Sequence, residues 1–233
     1  MDKKILKKEN KLLSPFSTDF KEKKRIFDEE KIRKSLEKIM PEKDYHLIDY
    51  VINDKRYYFP NDLKIERGVF RENNGNLLEI VNGNEKGFDI PSNIVYIGTK
   101  TGLSMVSHNH LNGIPIPSKL DIASLPSLQS QYNPIYSPNK NGLLVNTNLV
   151  KNQENWKEIS NKYNIFINNT NKKIEIIFPE EAIRIRNQYG KDMLQEKLND
   201  FYRPYYIENQ DKIVENINCM FKDNGFQLKL YIL

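Results

Sequence analysis

The sequence contains little cysteine and little histidine. Cys219 is the single cysteine among 233 residues, which excludes an intrachain disulfide and any metal site built from cysteines alone. We interpret it as a small buried apolar residue, because no neighbour in the sequence would activate its thiol as a nucleophile. A chain with one cysteine is also typical of a reducing compartment.

Long apolar segments are also missing. No stretch approaches the roughly 18 apolar residues that a transmembrane helix needs. The N-terminal stretch MDKKILKKENKLLSPF is positively charged, but its apolar runs are too short for the core of a signal peptide. The sequence therefore predicts a cytoplasmic protein that makes no membrane contact.

The excess of positive charge is modest and is heaviest at the N-terminus. Lys and Arg number 36 against 31 Asp and Glu, which gives a formal net charge of +5. A nucleic-acid-binding surface typically gathers arginine and aromatic residues on one face, whereas lysine and asparagine are scattered along this chain. Nucleic acid is therefore not the favoured partner. We interpret residues 1–45 as a basic helical extension, either a solvated segment or an arm that docks on a partner.

Apolar spacing and turn residues predict the elements of the N-terminal half. Helical spacing favours an amphipathic helix over 21–40 that ends at Pro41, and residues 45–52 fit either a strand or a short helix. Short apolar and aromatic runs bounded by turn residues predict strands, two of them joined as a hairpin through ENNGN. The predicted strands are 55–59, 65–70, 75–81, 93–98 and 102–107.

The C-terminal half mixes helices with short strands. Helices are expected at 118–129 and 153–163, two strands within 134–146, and a closing strand at 226–233. Residues 163–178 predict a hairpin that turns in the stretch NNTNKK. Residues 180–221 predict a long helical region interrupted near Gly190 and Pro204. The whole pattern predicts an α+β fold, a mixed sheet flanked by helices.

Two of the three histidines lie two residues apart at the end of a predicted strand. Because side chains alternate between the two faces of a strand, His108 and His110 would point the same way. Asp121 follows in the first turn of a predicted helix, for which Ser118 is a fitting N-cap. Two imidazoles and one carboxylate leave a fourth metal position open, as in catalytic zinc sites. The alternative interpretation is an ordinary polar loop.

The spacing His-x-His, seven residues, Ser-x-x-Asp resembles the signature of the JAMM (JAB, MPN+) zinc metalloproteases. The stretch HNHLNGIPIPSKLDI is most similar to the RadC-like branch and to JAB-like domains of phage and toxin proteins. The resemblance implies that His108, His110 and Asp121 bind Zn²⁺ and that Ser118 donates a hydrogen bond to the oxyanion. It also implies a layered α/β/α arrangement like that of the cytidine deaminases.

The family also uses a glutamate on an early strand as general base and acid. The stretch IERGVFRENNGNLLEIVNG resembles that region, and the matching position is Glu66. Glu79 and Glu85 remain alternatives, whereas Glu72 borders the predicted turn and fits less well. One departure from the family is Leu111, which stands where a proline usually follows the second histidine. That departure bears on the shape of the loop and on substrate fit.

The resemblance implies a zinc-dependent metallopeptidase or isopeptidase, a hydrolase of amide bonds. Its partner would be a protein or peptide substrate, such as a ubiquitin-like modifier or a protein of a phage or mobile element. The JAB/MPN-like domain would span 46–233, with 60–150 carrying the motifs and 151–233 fitting the family only loosely. The alternatives are a non-catalytic MPN-like binding or assembly module and a DNA-associated RadC-like protein. The sequence does not set the oligomeric state.

Overall fold

A mixed six-stranded β-sheet lies at the centre of the residues that the computed structural model describes, 28–138, 140–147 and 154–231. Its strands are β1 (Arg67–Arg71), β2 (Leu77–Asn82), β3 (Leu103–Asn109), β4 (Ser130–Tyr136), β5 (Asn141–Asn146) and β6 (Phe226–Tyr231). They lie in the order β2-β1-β3-β4-β5-β6. The strands β3 and β4 run parallel, and all other neighbours run antiparallel.

Eight α-helices accompany the sheet within the described ranges. They are α1 (Glu29–Glu37), α2 (Ile48–Tyr58), α3 (Ser92–Thr101), α4 (Lys119–Leu128), α5 (Trp156–Ile177), α6 (Pro179–Gln188), α7 (Lys191–Glu208) and α8 (Gln210–Met220). Two short 3₁₀ helices occupy Glu42–Leu47 and Lys222–Asn224. Among the described residues, no helix combines the length and the apolar character needed to cross a bilayer. The predicted α+β class with a mixed sheet is confirmed.

Apolar clusters on both faces of the sheet hold the helices in place. Consecutive residues of β3 alternate between them, since Met105 packs with α1 and α2 whereas Val106 packs with α3. A further cluster joins α4, α5, α7 and α8 to the half of the sheet formed by β5 and β6. Every residue of β3 is buried, which is expected of a central strand covered on both faces.

The N-terminal region contributes to this core. Ile32 and Leu36 of α1 are buried in the same cluster as Val69 of β1. Residues 1–27, which include the first part of the predicted helix 21–40, lie outside the described residues. The division at residue 45 into an extension and a domain stays a prediction.

Two predicted strands in the first half of the chain are wrong. Residues 55–59 belong to the end of α2, and residues 93–98 lie within α3. Their aromatic and β-branched side chains favoured strands, but burial in α2 follows Ile48, Val51 and Lys55, which is a helical period. Packing against the sheet therefore overrides the local preference of these residues. Of the two alternatives for 45–52, the helical one is correct.

The hairpin predicted over 163–178 is also wrong, because this segment continues the helix predicted at 153–163. The helix α5 runs from Trp156 to Ile177 without a turn at NNTNKK. Its buried residues, Ile159, Tyr163 and Ile174, repeat at whole helical turns and so form one face. Asparagine is a poor helix former, but the burial of this face outweighs the cost.

The predicted breaks in the C-terminal helical region are partly correct. Gly190 separates α6 from α7, where it is the N-cap. Pro204 lies inside α7 instead of ending it, and the second break falls at Asn209. Tyr202 and Tyr206 are buried on either side of this proline, and their packing compensates for the lost backbone hydrogen bond.

The interpretation of Cys219 as buried is wrong. The residue lies on α8 and is exposed. The buried face of this helix consists of Ile213, Val214 and Ile217, and Cys219 lies off that face. The closing strand predicted at 226–233 is observed as β6, with residues 232–233 outside the described range.

Candidate metal centre

Three side chains that can bind a metal ion converge at one end of β3. The Nε2 atoms of His108 and His110 are 3.1 Å apart. Asp121 brings its Oδ2 to 3.1 Å from the Nε2 of His110 and its Oδ1 to 3.3 Å from the Nε2 of His108. Among the described residues, these three form the group of histidine, cysteine and carboxylate side chains with ligand atoms this close together.

The strand β3 places the two histidines on one side. His108 lies opposite Gly68 of β1 and Ile135 of β4. His110 follows the last residue of β3, and its backbone N–H donates to the carbonyl of Tyr136 at 2.8 Å. The ladder therefore extends one residue past β3 and fixes both imidazoles on the same face, as the sequence predicted.

Gly68 leaves room for an aromatic ring beside His108. A Cβ at this position would lie 2.6 Å from Cε2 of Phe88, too close for any side chain. Phe88 packs over His108 with ring centroids 6.5 Å apart. Glycine at position 68 thus lets an aromatic ring cover one side of the first histidine.

The capping box of α4 places the carboxylate. The Ser118 Oγ accepts a hydrogen bond from the backbone N–H of Asp121 at 3.1 Å, and the backbone N–H of Ser118 donates to Asp121 Oδ2 at 2.5 Å. This reciprocal arrangement satisfies two free N–H groups of the helix start. It also orients the carboxylate toward the histidines, so the predicted N-cap and the predicted ligand are parts of one local structure.

The tautomer of His110 suits metal binding. Its Nδ1 lies 2.8 Å from the carbonyl oxygen of Ile114 and therefore donates a proton to it. When the ring is neutral, the Nε2 lone pair therefore faces the cluster, the arrangement that metal-binding histidines usually show. Four tetrahedral ligands at zinc bond lengths lie about 3.4 Å from one another. The separations of 3.1 to 3.3 Å in this cluster fit that geometry closely.

The electrostatics of the cluster favour a cation. Burial alone would raise the pKa of Asp121, but the charges and hydrogen bonds of the two histidines hold it well below its usual range. Burial alone would lower the pKa of His110, but the hydrogen bond to Asp121 and the charges of Asp121 and Glu66 raise it to about 8. The carboxylates of Asp121 and Glu66 thus lie beside the two imidazoles and favour positive charge there. A proton on His110 or a bound metal cation in its place would balance the negative charge of the carboxylates.

Glu66 lies beside this cluster. Its backbone continues the pairing of β1 with β2, since its N–H donates to Asn84 and its carbonyl accepts from Gly83, at 2.7 and 2.9 Å. Burial raises the pKa of its carboxyl, although the charges of His110 and His108 oppose this effect. The shift favours the protonated form of Glu66 more than in a carboxyl exposed to water.

The other glutamates considered from the sequence lie elsewhere. Glu79 of β2 accepts a hydrogen bond from Asn93 at 3.0 Å, and Glu85 is exposed in the turn after β2. Glu72 forms the hairpin between β1 and β2 through backbone bonds with Asn76 and Gly75. Of these glutamates, Glu66 is the one that lines the cavity in front of the cluster.

Asn109, the residue between the two histidines, connects β3 to Glu66. Its side-chain Oδ1 accepts from the backbone N–H of Arg67 at 2.7 Å, and its Nδ2 donates to the carbonyl of Ile65 at 3.0 Å. The two bonds hold the residues on either side of Glu66. Asn109 is buried, so both bonds are shielded from water. Sequence reasoning missed this residue, because the residues it joins are more than forty positions apart.

A buried ion pair supports the strand from the other side. Asp54 of α2 receives Arg71 Nη2 at 2.5 Å and the hydroxyl of Ser107 at 2.8 Å. Ser107 immediately precedes His108, and all three side chains are buried. No sequence pattern indicates this triad, since its members come from one helix and two strands.

The cluster opens into a cavity of about 690 Å³ that also contains Glu66 and Ser118. The loop between His110 and Ser118 forms one side, and α5 and α7 form another. The hydroxyl of Tyr163 in α5 donates to the carbonyl of Pro117 at 2.5 Å, which fastens α5 to this loop. No site residue was predicted in α5 or α7. Positions 195, 199, 202 and 206 of α7 recur at helical spacing and therefore share one helix face. This pattern could have indicated that a face of α7 lines the cavity.

No protein-family model matches the chain, and neither a curated protein nor a solved structure matches it.

Proposed function

We propose that this protein is a zinc-dependent hydrolase of the JAMM type that cleaves a peptide or isopeptide bond. The observation that carries the proposal is the placement of Glu66 in the same cavity as the cluster of His108, His110 and Asp121. A purely structural metal site does not require a nearby carboxylate that is not itself a ligand. The spacing of the motif and the mixed sheet with helices on both faces support the JAMM assignment.

Each side chain has a role that follows from its position. His108, His110 and Asp121 would hold Zn²⁺, which supplies Lewis-acid chemistry when bound. Glu66 would take a proton from the attacking water and deliver it to the leaving nitrogen. The Ser118 Oγ accepts from the Asp121 N–H, so its own proton is available to the carbonyl oxygen of the substrate. In this assignment Ser118 caps α4 and stabilises the oxyanion at once.

The cavity admits a protein segment. Its volume of about 690 Å³ lies in the range of ligand-binding clefts and exceeds what a single residue needs. We therefore propose a protein or peptide as the substrate. We also propose the cytoplasm as the location, because a single cysteine is typical of a reducing compartment. An origin in a phage or mobile element belongs to the same proposal, since it rests on the JAMM-type motif.

The decisive variant for the proposed reaction is Glu66→Gln. We expect it to retain the metal and to lose about 10²- to 10⁴-fold in turnover, the usual contribution of general acid–base catalysis. The assay would follow cleavage of a proteome-derived peptide library and of lysine-branched peptides by mass spectrometry, with the zinc-loaded protein. The matched control is Glu79→Gln, which removes a carboxylate outside the cavity and should leave turnover unchanged.

Two results would contradict the proposal. Equal turnover for wild type and Glu66→Gln would remove the general base from the mechanism. Cleavage of neither probe by the zinc-loaded wild type would instead favour a binding module that keeps its metal.

A further inference from the structure

The wall of the cavity opposite the metal ligands is formed by helices that carry amide side chains. Asn171 of α5 and Gln195 and Asn199 of α7 line it, together with the buried Tyr202 and Tyr206. None of these side chains belongs to the candidate ligand set or to the motif. They line the same cavity as the cluster, so a substrate bound at the cluster can extend along them.

Hydrogen bonds within the wall leave defined atoms free. The hydroxyl of Tyr206 donates to Asn171 Oδ1 at 2.9 Å, so the Asn171 Nδ2 keeps both protons. Gln195 Nε2 donates to Asn199 Oδ1 at 2.9 Å, which leaves Asn199 Nδ2 as a donor and Gln195 Oε1 as an acceptor. These uncharged donors and this uncharged acceptor can form hydrogen bonds with the C=O and N–H groups of an extended peptide.

The charges that line the cavity lie outside the wall formed by α5 and α7. The charged side chains lining it, apart from the histidines, are Glu66, Asp121, Lys86 and Lys119. Lys86 pairs with Glu196 at 3.5 Å, and Lys119 donates to Asn168 at 2.7 Å. The two carboxylates face the metal cluster. A charged substrate side chain packed against this uncharged wall would therefore lose water without meeting an opposite charge there, which is unfavourable.

Apolar side chains also line the cavity. Ile114, Leu120 and Ile167 are among them, and Leu120 at the start of α4 is 80% exposed. An exposed leucine at the edge of a cavity offers a contact for an apolar substrate residue.

We infer that α5 and α7 form the specificity wall of the site and that it binds an extended, uncharged peptide segment through the amides of Asn171, Gln195 and Asn199. This inference rests on the proposed function for the position of the scissile bond, but the binding itself does not require hydrolysis.

The test separates binding from cleavage. A display library of random linear peptides is selected on the full-length Glu66→Gln protein loaded with zinc, so that bound peptides stay intact. The affinity of a selected fluorescein-labelled peptide is then measured by anisotropy with Asn171→Ala and Asn199→Ala added singly. The matched control is Asn169→Ala, an exposed α5 residue that lines a different groove. Melting temperatures check that each variant is folded.

The expected result is a selected motif without charged residues and an affinity loss of about three- to tenfold for Asn171→Ala and Asn199→Ala, as for one hydrogen bond each. The Asn169→Ala control should bind as tightly as its parent. Selection of charged peptides, no selection at all, or unchanged affinity in both wall variants would overturn the inference. If the selected peptides bind as expected but the zinc-loaded wild type cleaves neither them nor their lysine-branched forms, the proposed hydrolase is rejected and the wall is retained.

Discussion

At the scale of single residues, the proposed chemistry would depend on Asn109 as well as on the candidate metal ligands. A general base must lie within hydrogen-bond reach of the proton that it moves, so a small displacement of Glu66 would cost activity. The backbone of Glu66 is paired with Asn84 and Gly83 on one side. The amide of Asn109 supplies the constraint from the neighbouring strand, because it binds both backbone neighbours of Glu66.

Replacing Asn109 tests this positioning role. In Asn109→Ala the Ile65 carbonyl and the Arg67 N–H lose their partner, and we expect a loss of about 1–3 kcal/mol in the free energy of unfolding. We also expect kcat to fall at least tenfold while KM and zinc content stay near wild type, since the ligands are untouched. The readouts are steady-state kinetics, zinc analysis and chemical denaturation.

A merely structural role for Asn109 would give a different pattern. The protein would then lose stability without a change in kcat at temperatures where it remains folded. Asn109→Asp keeps the acceptor for the Arg67 N–H and should recover part of the activity. The control Asn93→Ala removes an exposed asparagine that binds Glu79 and should change neither quantity.

At the scale of elements, a buried ion pair joins α2 to the two strands that carry the site. Asp54 is fully buried and accepts from Arg71 of β1 and from Ser107 of β3. Arg71 also donates to the carbonyl of Gly75 at 2.9 Å. Removing one partner of such a pair leaves a buried charge without compensation, which costs much more than the pair contributes.

The variant Asp54→Ala should therefore be destabilised strongly, by about 3–5 kcal/mol in urea denaturation. The matched control is Asp49→Ala on the same helix. It breaks the exposed pair between Asp49 and Arg33 and should cost less than about 1 kcal/mol. Similar losses in the two variants would show that burial of the Asp54 pair has no energetic weight.

The elements differ in how far they could be predicted. The strands β1, β2 and β3 follow from short apolar runs between turn residues, and α4 follows from Ser118 and the residues after it. Segments 55–59, 93–98 and 163–178 carry β-branched or aromatic side chains but are helical. Their side chains pack on the sheet with a helical period. Each segment fits both a strand pattern and a helix pattern, and only tertiary packing decides which of the two forms.

At the scale of the whole molecule, the site joins distant parts of the chain in a single cavity. The candidate metal ligands are close in sequence, so strand alternation and a helix cap were enough to predict their convergence. Glu66 was proposed from the resemblance alone, and the structure places it beside them. Asn171 could not be predicted, because its approach to the site depends on how α5 packs against α4 and the loop before it. The α7 positions 195, 199, 202 and 206, which include Tyr202 and Tyr206, share one helix face by their spacing, but only the packing of α7 shows that this face lines the cavity.

The central claim is that His108, His110 and Asp121 bind zinc with Glu66 outside the ligand set, and metal content tests it most directly. Elemental mass spectrometry of the protein purified without chelator should find about one zinc per chain in wild type and in Glu66→Gln. It should find none in His110→Ala. Wild-type protein without zinc, or zinc retained by His110→Ala, would contradict the account.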